Sequence, residues 1–326
     1  MGSKRLQGWP MKAFVTGANG FTASHLVKAL QQQGATVVGL VRPTSNLTRL
    51  ADCPIDLVYG DLCDRPLLEK AMAGVDVVFH VAAYVEIGIV NAVEMERVNV
   101  EGTRTVLAAA EAAGVPKMVY CSTVGVFGDT QGRVINETYQ RQQQGFSSPY
   151  DRTKYEAQKL VDAAATRGYN VVTVLPSGIF GADDPHFGPA LQNYRRGRLK
   201  VWAGGQRITG IVHVDDLADL LILAAEKGQR GEWYIASTGD LTTQEMFEIL
   251  SEKTGIPVPV EIPAVLVRLA GNILEVVGRL THWQPPISRE RVHYLYDRNV
   301  RVDASKARQE LGWQPRSVEE TVRQLM

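Results

Sequence analysis

Apolar positions along the chain alternate between two periods. Short, largely β-branched runs read as buried strands: Ala13 to Val15, Thr36 to Val41, Ile55 to Tyr59, Val75 to Phe79, Lys117 to Cys121 and Val171 to Leu175. Between them, apolar residues recur at three- and four-residue spacing, as Phe21, Leu26, Val27 and Leu30 do after the first run. A second such segment runs from about Asn91 to Ala113 and is stopped by Gly114 and Pro116. A third opens at Pro149 and runs to about Arg167, where Gly168 ends it. Asp64, followed by Pro66, reads as the cap of a further helix. Strands alternating with helices at this rhythm predict an α/β fold with a parallel, doubly wound sheet.

The pattern changes after Leu175. Pro176 to Gly181 and Asp183 to Pro189 are loop-rich. Ile211 to Val214 reads as a strand that enters a helix through an aspartate cap, Asp215 or Asp216, and that helix continues to Lys227. His213, Asp215 and Asp216 could also be read as metal ligands; the cap is the preferred reading and no metal is expected. Trp233 to Ala236 is a short strand, and Thr242 to Thr254, Ala304 to Leu311 and Ser317 to Leu325 are helices. Ile262 to Leu280 is amphipathic, interrupted by Arg268, Glu275 and Arg279, and a packed helix pair is preferred over a lid or a membrane-surface helix. The expected division is a tail over 1–10, a nucleotide-binding domain over 11–175 plus 211–235, and a smaller α/β domain over 176–210 plus 236–326.

Composition narrows the partners. The 326 residues hold 35 Lys and Arg against 35 Asp and Glu, so the zero net charge gives no reason to expect nucleic acid. Cys53, Cys63 and Cys121 are odd in number and lack C-x-x-C spacing, which fits a reducing, cytoplasmic setting rather than a disulfide framework or zinc site. No uncharged run is long enough to span a bilayer. The first ten residues lack an apolar signal core, and Leu6 stands where a myristoylation signal needs Ser or Thr. The sequence does not fix the oligomeric state; a homodimer is the expectation.

The candidate chemistry starts at Phe14-Val-Thr-Gly17-Ala-Asn19-Gly20-Phe21-Thr22-Ala23. Gly17 permits a sharp turn, Gly20 permits close approach to a pyrophosphate, and the next helix presents free N–H groups to the anion. The second strand ends without the acid that binds a ribose 2′-OH. Arg42 stands there with Thr44 and Ser45, which favours the 2′-phosphate of NADP, with NAD the other option. Gly60-Asp61-Leu62 offers a carboxylate to an adenine amino group and an apolar packing surface for the ring. Val81, Ala82 and Ala83 leave room for a ligand at the end of their strand, while His80 is read as structural or as a neighbour of the ribose rather than as catalytic. Tyr150 and Lys154 stand one helical turn apart.

Gly17-Ala-Asn-Gly20-Phe, Gly60-Asp61-Leu62, His80-Val-Ala-Ala83, Asn99 with Gly102-Thr103, Ser122-Thr123, Tyr150 with Lys154, and His213-Val-Asp-Asp216 together resemble the extended short-chain dehydrogenase/reductases. The dihydroflavonol-reductase-like and 3β-hydroxysteroid-dehydrogenase-like branches are most similar. The resemblance covers about Met11 to Met326. It implies a Rossmann domain with a smaller C-terminal substrate domain, and Thr123, Tyr150 and Lys154 as catalytic hydroxyl, acid/base and lysine. It also implies cofactor contacts at Asn99, Ser122, Pro176, Ser177, Gly178 and Ile179. Lys154 would lower the Tyr150 pKa and hold the nicotinamide ribose.

Two positions depart from relatives of other chemistry. Sugar-nucleotide dehydratases carry an Asp-Glu pair where Val124 and Gly125 stand, and epimerases carry an Arg-Asp pair where Thr209 and Gly210 stand. Three functions therefore compete: an NADP-dependent ketone or aldehyde reductase, a nucleotide-sugar epimerase with tightly bound NAD, and a non-catalytic dinucleotide sensor. The intact Thr–Tyr–Lys set disfavours the sensor. Tyr84, Val85, Glu86, Ile87, Val124, Phe127, Phe146, Ile179, Phe180 and Phe187 are expected to wall a mostly apolar small-molecule pocket. Arg195, Arg196, Arg198 and Arg207 stand against that, as possible diphosphate ligands; the first three are read as the exposed end of a helix stopped by Gly197.

Overall fold

The computed structural model describes residues 11–181, 183–281 and 283–326. The expected tail over 1–10 lies outside the described residues. In chain order the first half contains β1 (Lys12–Thr16), α1 (Phe21–Gln32), β2 (Thr36–Val41), β3 (Asp56–Tyr59), α2 (Arg65–Ala71) and β4 (Val77–His80). Then come α3 (Ala92–Glu96), a π-helical turn (Arg97–Glu101), α4 (Gly102–Ala112), β5 (Lys117–Cys121), β6 (Val134–Ile135) and α5 (Pro149–Thr166). After them follow β7 (Val171–Pro176), β8 (Gly178–Phe180), α6 (Gly188–Arg195), β9 (Val201–Trp202), β10 (Ile208–His213), α7 (Val214–Lys227) and β11 (Trp233–Ala236). The chain closes with β12 (Gly239–Thr242), α8 (Thr243–Thr254), β13 (Val260–Glu261), α9 (Ala264–Thr281), α10 (Arg289–Tyr296), β14 (Arg301–Val302), α11 (Ser305–Leu311) and α12 (Val318–Arg323).

Seven strands form one parallel sheet in the order β11-β7-β5-β4-β1-β2-β3. The order reverses between β1 and β4, and a crevice for ligand opens outside the strand ends at such a reversal. One face buries Val15, Leu26, Phe79 and Val119 under α1 and α7. The other buries Phe14, Leu68, Val78 and Met118 under α2, α4 and α5. Strands covered on both faces explain the near-continuous apolar runs of the sequence.

Local caps fix the element ends where the sequence has them. The Asp64 carboxylate accepts from Leu67 N–H, Ser148 Oγ from Asp151 N–H, and Thr242 with Glu245 closes a capping box. α6 ends at Arg195 ahead of Gly197, whose φ is +66°, and Arg195, Arg196 and Arg198 are exposed there. Two expectations need correction. The cap of α7 is His213, whose Nδ1 accepts from Asp215 N–H, so neither aspartate caps it. β10 belongs to a separate three-stranded sheet, β12-β10-β8, although α7 directly after it packs on the large sheet. The boundary therefore crosses the strand-to-helix junction at His213. The chain also returns to the large core near its end, where Val302, Ala307, Leu311 and Trp313 are buried. The smaller core gathers Leu191, Tyr194, Ile211, Leu241, Phe247 and Val322.

Candidate active site

The turn after β1 is built for an anion. Gly17 has φ +63°, and a Cβ there would stand 3.0 Å from the Ala82 Cβ, so the turn closes onto the loop after β4. Gly20 N–H donates to Gly17 O (2.8 Å), and Gly20 opens α1 without any side-chain cap. The first N–H groups of α1 remain available to a phosphate. Phe21 flanks the turn, with Gly181 of the loop after β8 against its ring and the Arg49 guanidinium 6.0 Å from its centroid. Asn19 donates to Asn46 O, and Thr22 lies in the first turn of α1.

Thr16, which the sequence does not flag, ties the turn to β4. Its Oγ1 accepts from Val81 N–H and Ala82 N–H, both at 3.1 Å, and so donates to His80 Nδ1 (2.9 Å). Thr103 Oγ1 donates to Asn99 O (2.7 Å), which leaves His80 Nε2–H to donate to Thr103 Oγ1 (2.9 Å). That chain of donors fixes a neutral imidazole with its proton on Nε2. Burial, with the Lys154 cation beyond, pulls the His80 pKa down to about 3, so His80 is structural, as expected.

Asn99 sits in the π-helical turn and is buried. Its Oδ1 accepts from Tyr84 N–H (2.7 Å), while its Nδ2 donates to Tyr84 O (3.1 Å) and to Thr153 Oγ1 (3.0 Å). These bonds run within the protein, clamping the loop after β4 to the helix that carries Tyr150 and Lys154. Asn99 therefore acts on the site through its neighbours rather than by an evident ligand contact.

At the end of β5, Ser122 Oγ is buried with no protein partner among the described residues. Thr123 Oγ1 accepts from Gly125 N–H at 3.1 Å. Tyr150 and Lys154 lie on α5 as i and i+4. Lys154 is buried, and its Nζ donates to Tyr120 OH (2.8 Å) and Cys121 O (2.9 Å). Tyr120 thus joins the site without a sequence signal. Burial lowers the Lys154 pKa to about 8 and pushes the Cys121 thiol up to about 11. The expected depression of the Tyr150 pKa is not found: burial first, then the Asp151 carboxylate, raises it. Lys154 is turned towards Tyr120 and Cys121, so the protein alone keeps the Tyr150 phenol protonated.

The remaining cofactor candidates divide. Arg42 is exposed at the end of β2, with its backbone N–H donating to Ser45 Oγ (3.1 Å). Both Asp61 oxygens accept from Arg97, at 2.8 and 3.1 Å, and Arg97 also donates to Glu94. This fork, with the Cys63 N–H bond, holds the Asp61 pKa below its ordinary value; Arg97 was not anticipated. Leu62 packs on Gly102, where a Cβ would lie 3.2 Å from Leu62 Cβ. Pro176 ends β7, and Ser177 N–H donates to Ala236 O beside Gly178 and Ile179 of β8. The cradle at Gly17 and Gly20, the uncapped start of α1 and the orphaned Ser122 hydroxyl fit a dinucleotide.

Several expected pocket walls have packing partners of their own. Phe127 is buried in the large core against Tyr139 and Trp233, and Val124 is buried with it. Phe146 packs on Tyr155 under the Arg141 guanidinium, 4.4 Å from its ring. Phe180 and Phe187 stack edge-on with centroids 5.5 Å apart, and Phe187 also meets Trp202, so both serve the small core. Each of these side chains is thus packed against protein partners supplied by other segments. Tyr84 and Glu86 stay together: Tyr84 OH donates to Glu86 (3.0 Å), which also accepts from Gln284 (2.8 Å). At Gly125 a Cβ would stand 2.8 Å from Asp151 Oδ1 and 3.0 Å from Arg298 Nη2.

A doubly wound parallel sheet with a glycine turn at its reversal, and a buried lysine on α5 bonded to the end of β5, are the frame of a dinucleotide-dependent oxidoreductase of the short-chain type. The chain belongs to the NAD dependent epimerase/dehydratase family, whose model matches residues 13–236, and so to the extended short-chain dehydrogenase/reductases. It is 35% identical over 309 residues to a 4-hydroxy-2-methyl-3-oxo-4-farnesyl-3,4-dihydroquinoline-1-oxide ketoreductase of Stigmatella aurantiaca, covering 93% of this chain and 92% of that one. It is 32% identical to sterol demethylase protein B of Methylococcus capsulatus, covering 94% of each. The solved structure of gox2253 superimposes with a TM-score of 0.81 at 30% identity, over 97% of both chains. The dTDP-glucose 4,6-dehydratase DesIV of Streptomyces venezuelae, solved with NAD, gives 0.78 at 25% identity over 96% of each.

Proposed function

We propose that this enzyme is an NADPH-dependent reductase that converts the carbonyl of a largely apolar small molecule to a secondary alcohol. The observation that carries this reading is geometric: Tyr150 and Lys154 stand one turn apart on α5, and the buried Lys154 ammonium donates to Cys121 O (2.9 Å) at the end of β5, two residues before Thr123. Gly125 supports it from the other side: a Cβ there would press on Asp151 Oδ1 (2.8 Å) and Arg298 Nη2 (3.0 Å), and the residue carries no acid of the kind that dehydration needs. The relatives named as a ketoreductase and, in Shewanella oneidensis, as a 2-alkyl-3-oxoalkanoate reductase (30% identical over 96% of this chain and 85% of that one) point the same way.

In this reading the bound nicotinamide supplies the hydride. Thr123 and Tyr150 hold the substrate oxygen, and Tyr150 hands its phenolic proton to that oxygen as the alcohol forms. Lys154 supplies positive charge behind the phenolate that Tyr150 becomes, and offers an ammonium to the nicotinamide ribose hydroxyls. Arg42 selects NADPH by a charge-assisted fork on the 2′-phosphate. Screening apolar ketones and aldehydes by loss of NADPH absorbance tests the reading, and turnover of none of them would sink it.

A second reading rests on a specific observation. The Nε atoms of Arg207 and Arg298 are buried without partners among the described residues. Burial, then the neighbouring Arg298 cation, lowers the Arg207 pKa to about 10. Such a pair suits a diphosphate, and an epimerase acting on a nucleotide sugar would use it. Calorimetry with uridine diphosphate on the NADP-loaded protein decides. Saturable micromolar binding that Arg207→Ala abolishes replaces the reductase reading.

A further inference from the structure

The helix α9 has one face with no partner among the described residues. Leu266, Leu269, Ile273 and Val276 are each at least half exposed, and Val265 and Leu280 at its two ends are 76% and 78% exposed. At 100° per residue all six fall within an arc of about 120° or less. The opposite face is pressed inward by small residues. A Cβ on Gly271 would stand 2.8 Å from Val292 of α10, and one on Gly278 would stand 2.6 Å from Trp283 O. The helix is therefore seated firmly on one side and presents a continuous apolar strip on the other. A strip of this kind marks a binding surface.

Charge says what covers it. From Ala264 to Arg291 there are four arginines against two glutamates, in a chain whose totals of each sign are both 35. The acid on α9 is withdrawn: Glu275 is buried and accepts from Arg279 (2.9 Å) and from Arg289 N–H (2.8 Å). Arg268 and Arg279 lie along one border of the strip, Arg268 paired with the Asp297 carboxylate and Arg279 with Glu275, and Arg289 is exposed nearby on α10 with no ion pair among the described residues. Trp283, 47% exposed, follows the helix end. An apolar face bordered by arginine and tryptophan matches the boundary between lipid chains and anionic headgroups. No described helix is long and apolar enough to cross a membrane.

We propose that α9 and Trp283 dock this enzyme on the surface of an anionic phospholipid bilayer, with the helix lying in the interface plane. The same elements hold the loop after β4. Gln284 donates to Glu86, Arg291 Nε donates to Ile87 O (2.9 Å), and Ile89 packs beneath Gly278. Docking there sets the loop that carries Tyr84 and Glu86 beside the membrane, so that an apolar substrate dissolved in the bilayer reaches the crevice without crossing water. That last step rests on the reductase reading; the docking itself does not.

Flotation of the full chain with vesicles, read without substrate, tests the docking. The vesicles are phosphatidylcholine with phosphatidylglycerol at about three to one, against phosphatidylcholine alone. The parent protein floats with the anionic vesicles, less with the neutral ones, and less again in high salt. The double variant Leu269→Glu, Ile273→Glu loses about tenfold or more of this partitioning. It keeps the parent's circular dichroism and NADPH titration, because neither residue touches the crevice. Anionic vesicles shift Trp fluorescence to the blue in the parent and not in Trp283→Phe. A parent protein that stays unbound overturns the proposal. So does a double variant that floats undiminished, or a parent dimer, seen by sedimentation equilibrium, that the double variant dissolves.

Discussion

Replacing the Tyr150 hydroxyl by hydrogen leaves the packing of α5 in place but removes the only proton that the proposed reaction draws from the protein. Tyr150→Phe therefore keeps NADPH affinity and loses about 10²- to 10⁴-fold in turnover, measured by steady-state kinetics on the best ketone. Lys154 makes a pH-dependent prediction. Its folded pKa of about 8 lies below the unfolded value, so between the two the unfolded chain binds the extra proton. The contribution of this group to stability consequently rises as pH increases across that window, by on the order of 3 kcal/mol in the cofactor-free protein. Urea midpoints of the parent and Lys154→Met, compared across the window, read it as a growing difference in favour of the parent. With Lys154 in its proposed role, cofactor affinity moves the opposite way: it weakens as pH rises through about 8 and the ammonium proposed to hold the ribose is lost. At Arg42 the absence of an acid after β2 predicts that Arg42→Asp reverses the proposed NADPH preference. Losing one charged hydrogen bond costs about 1.5–3 kcal/mol, about ten- to a hundredfold in Kd by calorimetry.

Among the elements, the helix from Ala92 to Ala112 is interrupted where it matters to the site. The π-helical turn over Arg97–Glu101 brings Asn99 inward, where it holds both backbone groups of Tyr84 and the hydroxyl of Thr153. π-turns of this kind concentrate at functional positions. Asn99→Ala strands Tyr84 N–H and leaves a void, so it costs about 2–4 kcal/mol in urea unfolding. Because the loop carrying Tyr84 loosens, KM for the substrate rises while NADPH affinity changes less. The periodicity of the sequence located this helix and its stop at Gly114, but it could not show the extra residue in the turn, since a single inserted position barely alters an apolar repeat.

Across the molecule, a clasp joins the nucleotide helix to the loop after β8. His25 of α1 bonds Asp215 of α7 through Nδ1 (2.5 Å) and Asp183 through Nε2 (3.1 Å), and Arg49 holds the same Asp183 (3.0 Å). Burial opposes protonation of His25, but the two carboxylates prevail and its pKa is raised. A raised folded pKa adds stability that is present in full below the unfolded value near 6.5 and is lost as pH climbs through the folded value. His25→Gln therefore lowers Tm more at pH about 6 than at pH about 9, where both proteins carry a neutral side chain. Equal losses at both values would show that the clasp acts by packing alone.

The sequence by itself determined what short-range physics encodes. Strand and helix periods, the caps at Asp64, Ser148 and Thr242, the glycine turn at 17–20 and the one-turn spacing of Tyr150 and Lys154 all depend on residues within a few positions of each other. That was enough for the doubly wound sheet, and it marked Thr123, Tyr150 and Lys154 as candidates for the proposed chemistry. Tertiary structure decided everything that depends on which way a side chain turns and what it meets. It enclosed Phe127 in the large core, set Phe146 on Tyr155, aimed Lys154 at Tyr120 and brought Arg298 to Gly125 across more than half the chain. It also assigned β10 to the small sheet while its own continuation, α7, joined the large one. An aromatic residue in a loop has the same composition whether it walls a pocket or fills a core; only the partners supplied by distant segments make the difference.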